Sequence, residues 1–473
     1  MTSPARKSPL TSVTTAVDAA LYEVRQKIYP RAVHGWFASW RVAMVVITQL
    51  VFYGVPWLMW NGRQAVLFDL AARKFYIFGM VFWPQDFIFL TALLIISALA
   101  LFLFTAVAGR LFCGYACPQT VYTEIFLWVE RMVEGDRTKR MRLDNSPLHA
   151  KKIGLKALKH GIWITIAAWT GFTFVGYFTP VHTLLAEVGT LALGPWETFW
   201  VLFYGFATYG NAGWMREQVC KYMCPYARFQ GVMFDRDTLV ITYDEQRGEP
   251  RGSRARSADF KSAGLGACVD CGICVQVCPT GIDIRKGLQY ECIGCAACID
   301  GCDQVMDKMG YDRGLIRYST GNAVSGSAPE KAVLRRVLRP RVLIYGALLA
   351  LVTCAFLTGL YLRSPLKVDV IRDRAALARD TREGLVENVY RLQIMNTDER
   401  PHRYVVSATG IEGLTVVAQQ PIEVQGATTH GVALALRADP VRVKAGWHEI
   451  VIHVEDLDRP EVRTDEESRF FVR

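Results

Sequence analysis

The sequence lacks the motifs by which a chain usually binds a nucleotide or attaches a haem. No G-x-G-x-x-G follows a predicted strand, no P-loop is present, and no C-x-x-C-H occurs. The eight histidines are scattered, so no pair on facing apolar segments is available to hold a haem. No cysteine follows Cys354. The motifs therefore give no support to a bound nucleotide or a haem, and the cysteines are the candidate residues for redox or metal chemistry.

Eight of the thirteen cysteines form two copies of one spacing, C-x2-C-x2-C-x3-C, and Pro279 follows the first copy. The first copy is Cys268, Cys271, Cys274 and Cys278, and the second is Cys292, Cys295, Cys298 and Cys302. This spacing predicts two [4Fe–4S] clusters, each completed by the last cysteine of the other copy. The first set is then Cys268, Cys271, Cys274 and Cys302, and the second set is Cys292, Cys295, Cys298 and Cys278. The alternative is zinc, but zinc sites usually separate two C-x2-C pairs by a longer loop.

Apolar segments dominate the first 362 residues. The chain has 473 residues, a hydrophobic content of 51% and a formal charge of +10. Residues 363–473 contain 16 Lys/Arg against 18 Asp/Glu, so the basic excess lies beside the apolar segments, which indicates a membrane surface rather than a nucleic acid. Five segments are long enough to span a bilayer. They are 40–60, 87–108, 161–180, 196–215 and 342–362. The fourth is the weakest, with a buried amphipathic helix as the alternative, and 66–83 is expected to be interfacial or re-entrant.

The loops between these segments predict the topology. Residues 109–160 hold ten Lys/Arg, whereas 181–195 hold none. The positive-inside rule therefore puts 109–160 and the cluster segment in the cytosol. No signal peptide is recognisable in residues 1–36, so we expect a cytosolic N-terminus, five spans and a periplasmic C-terminus, in a bacterial cytoplasmic (inner) membrane.

Beyond residue 366 the hydrophobic period changes to two. Seven short runs rich in β-branched residues alternate with turn residues, which favours an immunoglobulin-like sandwich. The Cys…Trp…Cys signature of true immunoglobulin domains is missing, so only the architecture is predicted. Charged, Gly/Pro/Ser-bearing stretches at 244–261 and 319–330 read as linkers into and out of the cluster module.

A second cysteine system is repeated along the chain. C-x3-C-P occurs at Cys113 and Cys117, and again at Cys220 and Cys224, each time at the predicted cytosolic exit of a span. This repetition indicates an internal duplication. If i and i+4 share a helix face, each pair can present two sulfurs to one metal ion or form a disulfide. Four such thiols form a soft site that suits Cu(I), zinc or an iron–sulfur cluster, and buried structural cysteines are the alternative.

These features together predict a multi-domain integral membrane protein: a five-helix transmembrane bundle, a cytosolic two-cluster ferredoxin insertion and an all-β immunoglobulin-like C-terminal sandwich. The predicted segments are 1–39 (cytosolic N-terminus), 40–218 (four-span domain with the C-x3-C-P motifs), 219–262 (second C-x3-C-P exit and linker), 263–312 (ferredoxin module), 313–341 (linker), 342–362 (fifth span) and 363–473 (periplasmic domain).

The combination resembles the cytochrome c oxidase accessory proteins of the CcoG, FixG and RdxA family, over nearly the whole chain. The stretches 27–37 and 63–87 are similar to that family as well. The resemblance implies reduction of Cu(II) to Cu(I) during assembly of cbb3-type oxidase, with copper handled by Cys113, Cys117, Cys220 and Cys224. It also implies oxidase subunits or copper chaperones as partners. The electron donor stays open.

Two other classes of function remain open from the sequence. One is an electron-transfer subunit of a quinol dehydrogenase, although the C-terminal part carries no haem motif to pass electrons outward. The other is a non-enzymatic oxidase assembly scaffold, with the clusters sensing redox state. Whether the four C-x3-C-P thiols hold copper, a third cluster or disulfides is also open.

Overall fold

A computed structural model describes residues 27–256, 264–324, 338–373 and 377–473. Its contacts define two units. The first unit comprises Met1–Val45, Thr105–Trp163 and Gly210–Val337, and the second comprises Val46–Phe104, Ile164–Tyr209 and Leu338–Arg473. Most of the N-terminal segment, the end of the first predicted linker and residues 325–330 of the second lie outside the described residues.

Helices dominate the described part of the chain before residue 362. The helices of eight residues or more are α1 Trp36–Gly54, α2 Phe87–Ala108, α3 Pro118–Glu134, α4 Arg137–Asn145, α5 Ala150–Val175, α6 Val181–Thr190, α7 Pro195–Thr208, α8 Pro225–Met233, α9 Ala297–Met309 and α10 Pro340–Tyr361. Shorter helical turns are Val55–Trp57, Pro84–Asp86, Leu111–Tyr115, Tyr209–Met215, Val219–Met223, Glu245–Gly248, Ile273–Gln276, Ile284–Lys286 and Gly321–Val324.

Three helices of the described ranges are long and apolar enough to cross a membrane, by length and composition: Trp36–Trp57, Pro84–Ala108 and Pro340–Tyr361. They coincide with the first, second and fifth predicted spans. The third prediction, 161–180, is the end of α5, whose first turns carry lysines, and that helix stops at Val175. The fourth, 196–215, is α-helical only to Thr208 and continues as a π-helix. Three of the five predicted spans are therefore supported, and the five-helix bundle as a whole stays a prediction.

In the first unit, two short strands enclose the cluster module. β6 (Val240–Tyr243) pairs antiparallel with β7 (Ile316–Ser319). This ladder lies partly in the segment 313–341 that the sequence assigned to a linker. Residues 244–256 are also packed rather than extended, because Arg254 donates hydrogen bonds to the carbonyl oxygens of Cys268 and Gly266 at 3.2 and 2.8 Å.

In the second unit, nine strands form a two-sheet sandwich. They are β8 Leu366–Arg372, β9 Arg379–Asp380, β10 Val386–Asn396, β11 His402–Thr409, β12 Thr415–Val417, β13 Ile422–Val424, β14 Thr429–Ala438, β15 Gly446–Asp456 and β16 Arg463–Val472. One sheet has the order β12-β14-β10-β8 with β9 on β10, and the other has the order β13-β11-β15-β16. Inward-facing residues such as Leu392, Leu434 and Ile452 are fully buried between the sheets. The seven predicted strands are present, and β9 and β13 are additional.

The stretch between the first two spans also folds as β-structure in the second unit. The strands are β1 Met59–Trp60, β2 Arg63–Gln64, β3 Val66–Asp69, β4 Lys74–Ile77 and β5 Met80–Phe82. The prediction of an interfacial or re-entrant piece at 66–83 is corrected accordingly: β3, β4 and β5 form an antiparallel sheet. Its end packs on the sandwich, because Val81, Trp83 and Met395 share one buried cluster.

Candidate metal centres

The eight ferredoxin cysteines lie close together in the first unit, and their division into two ligand sets stays a prediction. The thiols that act electrostatically on Cys302 are those of Cys274, Cys268 and Cys271. Those that act on Cys298 are, in decreasing order, Cys295, Cys292, Cys278 and, from the other set, Cys274. The last cysteine of each copy therefore lies near cysteines of the other copy. The assignment of each thiol to a particular iron stays a prediction.

Tight loops present the first three cysteines of each copy. Gly272 and Gly294 adopt positive φ angles of 64° and 69°, which only glycine adopts without strain. Asp270 and Ala296 are also left-handed, with φ of 51° and 58°. A helix begins just after each loop, at Ile273 and Ala297, so each copy wraps a loop and a helix start around its cluster position.

Burial of these thiols disfavours their charged form unless a metal ion compensates the charge. Burial raises the pKa of Cys274 to about 11 and those of Cys292 and Cys302 to about 12, because removal from water disfavours the charged thiolate. An iron cation supplies the missing compensation, and metal binding then releases the thiol protons. Eight cysteines in two groups of four fit two [4Fe–4S] clusters. Cys271 is exposed, whereas Cys295 is buried.

Polar side chains that the sequence analysis missed hold the ligand loops in place. Tyr318 donates a hydrogen bond to the Gly294 carbonyl oxygen at 2.5 Å, and Arg41 donates to the Cys295 carbonyl oxygen at 3.4 Å. Arg110, three residues before the first C-x3-C-P motif, donates to the carbonyl oxygens of Tyr290 and Ala227. Its place beside the motif was visible in the sequence, but nothing there identified the other two side chains.

The two C-x3-C-P motifs have the same local structure, and it differs from the predicted helix face. Cys113 lies in the short helix Leu111–Tyr115, and Cys117 is the N-cap of α3. Likewise, Cys220 lies in the π-helix Val219–Met223, and Cys224 is the N-cap of α8. The proline occupies the first position of the new helix, where its missing N–H costs nothing. Each pair therefore brackets a break between two helices, instead of sharing one continuous helix.

The four thiols of these motifs lie together. The thiols that act electrostatically on Cys220 are those of Cys117, Cys113 and Cys224. Cys113 Sγ also approaches Gln230 Oε1, a fully buried side chain of α8, at 3.4 Å. Burial raises the pKa of Cys113 to about 11 and that of Cys220 to about 12. The repeated motif thus brings four half-buried thiols together, and we call this cluster the thiol site.

The thiol site packs directly against the second set. A Cβ atom placed on Gly114, between Cys113 and Cys117, would lie 2.8 Å from the Cys295 Cα atom. A Cβ on Gly294 would lie 3.1 Å from the Arg110 carbonyl carbon. The two backbones can approach this closely only because both positions are glycine. Cys113 and Cys220 also pack on the buried cluster of Ile293, Cys295 and neighbours.

Across the residues that the structure describes, no three His, Cys, Asp or Glu side chains are arranged around a single metal ion. A cubane distributes its four thiolates over four irons, so its ligands stand farther apart than those of one ion. For the ferredoxin sets the finding is therefore compatible with clusters. For the thiol site, the same finding is compatible with a metal ion bound by two thiols. Two thiols are enough for Cu(I), because that ion accepts linear coordination.

Comparison with protein families supports the iron–sulfur assignment. Residues 215–321 match the model of a 4Fe-4S dicluster domain, and residues 90–137 match a 4Fe-4S binding domain that includes the first C-x3-C-P motif. Residues 356–473 match the IG-like fold at the C-terminal end of FixG. The chain is an iron–sulfur electron-transfer protein with an immunoglobulin-like C-terminal domain.

Several known proteins are similar over most of the chain. The nitrogen fixation protein FixG of Rhizobium meliloti is 40% identical, over 90% of this chain and 86% of its own length. Protein RdxA of Cereibacter sphaeroides is also 40% identical, over 83% of this chain and 84% of its own length. The ferredoxin-type protein NapH of Haemophilus influenzae is 24% identical over 46% of this chain and 68% of its own length.

Among solved structures, a FixG-related protein from Vibrio parahaemolyticus is 28% identical and covers 23% of this chain and 97% of its own, with a TM-score of 0.22. On the identity and coverage of its full-length relatives, the chain belongs to the FixG/RdxA family.

Proposed function

We propose that this protein reduces Cu(II) to Cu(I) at the thiol site and so serves the assembly of a cbb3-type cytochrome c oxidase. The observation that carries the proposal is the packing of the thiol site on the second set, with Gly114 against the Cys295 backbone. Reducing equivalents and a soft metal site are thereby adjacent in one unit. When bound, the two clusters supply one-electron transfer, which is the stoichiometry that Cu(II) reduction requires.

The residues of the thiol site suit the product of this reaction. Thiolates favour Cu(I) over harder cations, so binding by Cys113, Cys117, Cys220 and Cys224 pulls the reduction forward. Cys117 is the N-cap of α3, and although burial raises the pKa of its thiol, the backbone N–H groups of Gln119 and Thr120 oppose that rise. Such N–H groups at a helix start stabilise the thiolate that copper needs.

The proposed location follows the predicted topology. The ferredoxin module and the thiol site are assigned to the cytosolic side and the sandwich to the periplasm, in a bacterial inner membrane. Oxidase subunits or copper chaperones are the proposed partners.

The test is a copper titration of the purified full chain. The double variant Cys113→Ser, Cys117→Ser is expected to lose bound copper and Cu(II) reduction while keeping its iron, because the ferredoxin ligands belong to separate loops. Cys354→Ser serves as the matched control, since this exposed cysteine lies on α10, outside both sets and the thiol site. Unchanged copper stoichiometry and an unchanged reduction rate in the double variant would leave the four thiols as structural residues.

A further inference from the structure

A cavity of about 640 Å³ opens beside the first turns of α1, the first candidate membrane span. Its wall is largely apolar, formed by Val33, Ala38, Val42, Trp128 and Met132. Charged and polar groups occupy other parts of the same wall, namely His34, Arg41, Glu124 and Arg131. A ligand that fits such a wall has an apolar body and a head that carries oxygen atoms, since a few polar groups among apolar ones fix a ligand's orientation.

Two of these side chains connect the cavity to the redox site. Arg41 and Glu124 also line a second, smaller cavity, whose wall includes Cys220 of the thiol site and Cys295 of the second set. Arg41 itself donates a hydrogen bond to the Cys295 carbonyl oxygen at 3.4 Å, and its Nε atom is buried without a partner. The polar part of the large cavity is therefore separated from a cluster ligand by one side chain.

The cavity is held in shape by contacts within the same unit. Asp300 of α9 accepts hydrogen bonds from the backbone N–H groups of Phe37 and Ala38 at 3.3 and 2.7 Å, which satisfies the free donors at the start of α1. On the opposite wall, Glu124 accepts from Trp128 Nε1 at 2.8 Å and from Arg131 at 3.3 Å. These bonds fix the α1 start and the polar side chains of α3 relative to the cluster loops.

We propose that this cavity binds a quinol, which serves as the electron donor of the protein. A quinol combines the two properties that the wall selects, a lipid-soluble body and a ring with two hydroxyl groups, and it is redox-active, as a ligand beside Cys295 must be. The inference rests on the proposed function, because it supplies the electrons that Cu(II) reduction consumes. The chain has no phosphate-binding motif that would make a nicotinamide nucleotide the donor instead.

Oxidation of a quinol in this cavity requires acceptors for two electrons and two protons. Oxidation of one quinol to a quinone breaks two O–H bonds and releases two electrons and two protons. The two cysteine sets, when they hold [4Fe–4S] clusters, would supply acceptors for two electrons, one for each cluster. Glu124 and His34 line the cavity and are the groups able to accept the protons and pass them to water.

The binding test uses the full chain in lipid nanodiscs and a photoreactive azidoquinone, with decylubiquinone as competitor. We expect light-dependent labelling of peptides from residues 32–42 and 124–132, suppressed by the competitor. Val42→Trp, which fills the cavity, is expected to weaken competition roughly tenfold, or about 1.4 kcal/mol of binding free energy. Val46→Trp, one turn later on α1 and similarly exposed, is the matched control. Labelling elsewhere, or equal behaviour of the two variants, would overturn the proposal.

A second measurement separates this inference from the proposed function. Decylubiquinol is expected to bleach the visible iron–sulfur absorption of the wild type, and more slowly in Glu124→Gln, whose iron content should be normal. If dithionite-reduced protein reduces Cu(II) but decylubiquinol neither labels the cavity nor bleaches the clusters, the donor assignment fails alone. If the quinol results hold but Cu(II) is not reduced, the copper function fails and the quinol site stands.

Discussion

Gly114→Ala perturbs the contact between the thiol site and the second set while leaving every cysteine in place. The added Cβ would lie 2.8 Å from Cys295 Cα and 2.9 Å from Cys295 N, whereas ordinary contact begins at 3.4 Å. Both obstructing atoms are backbone, so the two segments must separate by about 0.6 Å. Overpacking of this kind costs about 1–3 kcal/mol of stability. Since a misplacement of about 1 Å at a reacting site can lower the rate about 100-fold, a separation of about 0.6 Å is expected to slow electron transfer by a smaller factor.

The assay is stopped-flow reoxidation of the dithionite-reduced protein by Cu(II), with iron content measured in parallel. Gly154→Ala is the matched control, because a Cβ at that exposed position of α5 meets nothing within 4 Å. We expect a slower reoxidation in Gly114→Ala with near-normal iron, and no loss in the control. Equal rates and equal stability of the two variants would refute the reasoning that close packing couples the two sites.

Three further predictions follow from the same structure. Cys278→Ser should remove the EPR signal of the second set more than that of the first, because Cys278 lies with the second set; equal loss of both signals would contradict the exchange of ligands. Burial raises the pKa of Asp144, but hydrogen bonds from Lys156, Lys27 and Tyr29 outweigh it, so the pKa in the folded protein is lowered. The stabilisation by this carboxylate is therefore present above the ordinary aspartate range and is lost as pH falls below about 4, and the acid unfolding curve of Asp144→Asn should be flatter than that of the wild type. Reporter fusions near residue 255 and at the C-terminus should give opposite signals, and identical signals would mean that a span is misassigned.

Much of this architecture could be predicted because its patterns repeat over many residues. The cysteine spacing predicted two iron–sulfur clusters, and the match of residues 215–321 to a 4Fe-4S dicluster domain agrees with it, whereas the two ligand sets stay a prediction. The period of two predicted seven strands of the sandwich, whereas β9 has only two residues and is too short to show a period. β13 has three residues, as β12 does, but β12 lies within the longer apolar run 414–418 that made it predictable. The strands at 66–82 were missed because each has four residues or fewer.

Other features depend on tertiary contacts that a sequence does not display. Predicting the third span as 161–180 treated the lysines before it as loop, yet α5 begins at Ala150 and includes them. Two of these lysines, Lys156 and Lys159, form ion pairs with Glu134 that the sequence does not display. The π-helix Tyr209–Met215 has no local sequence signature. It packs closely on Trp163, because a Cβ atom built on Gly213 would lie 3.2 Å from the Trp163 ring. The contact of Gly114 with Cys295 joins segments about 180 residues apart, which spacing within one motif cannot reveal.

The most direct test of the central claim is the number of Cu(I) ions formed per chain by a fixed store of electrons. The full chain is reduced anaerobically with dithionite, freed of excess reductant and mixed with Cu(II) and a Cu(I)-specific chelator. Two clusters that each hold one electron predict about two Cu(I) per chain, with loss of the EPR signal of the reduced clusters. The Cys113→Ser, Cys117→Ser variant should keep its reduced clusters and form almost no Cu(I). Equal yields from the two proteins, or no Cu(I) from the wild type, would contradict electron transfer to copper at the thiol site.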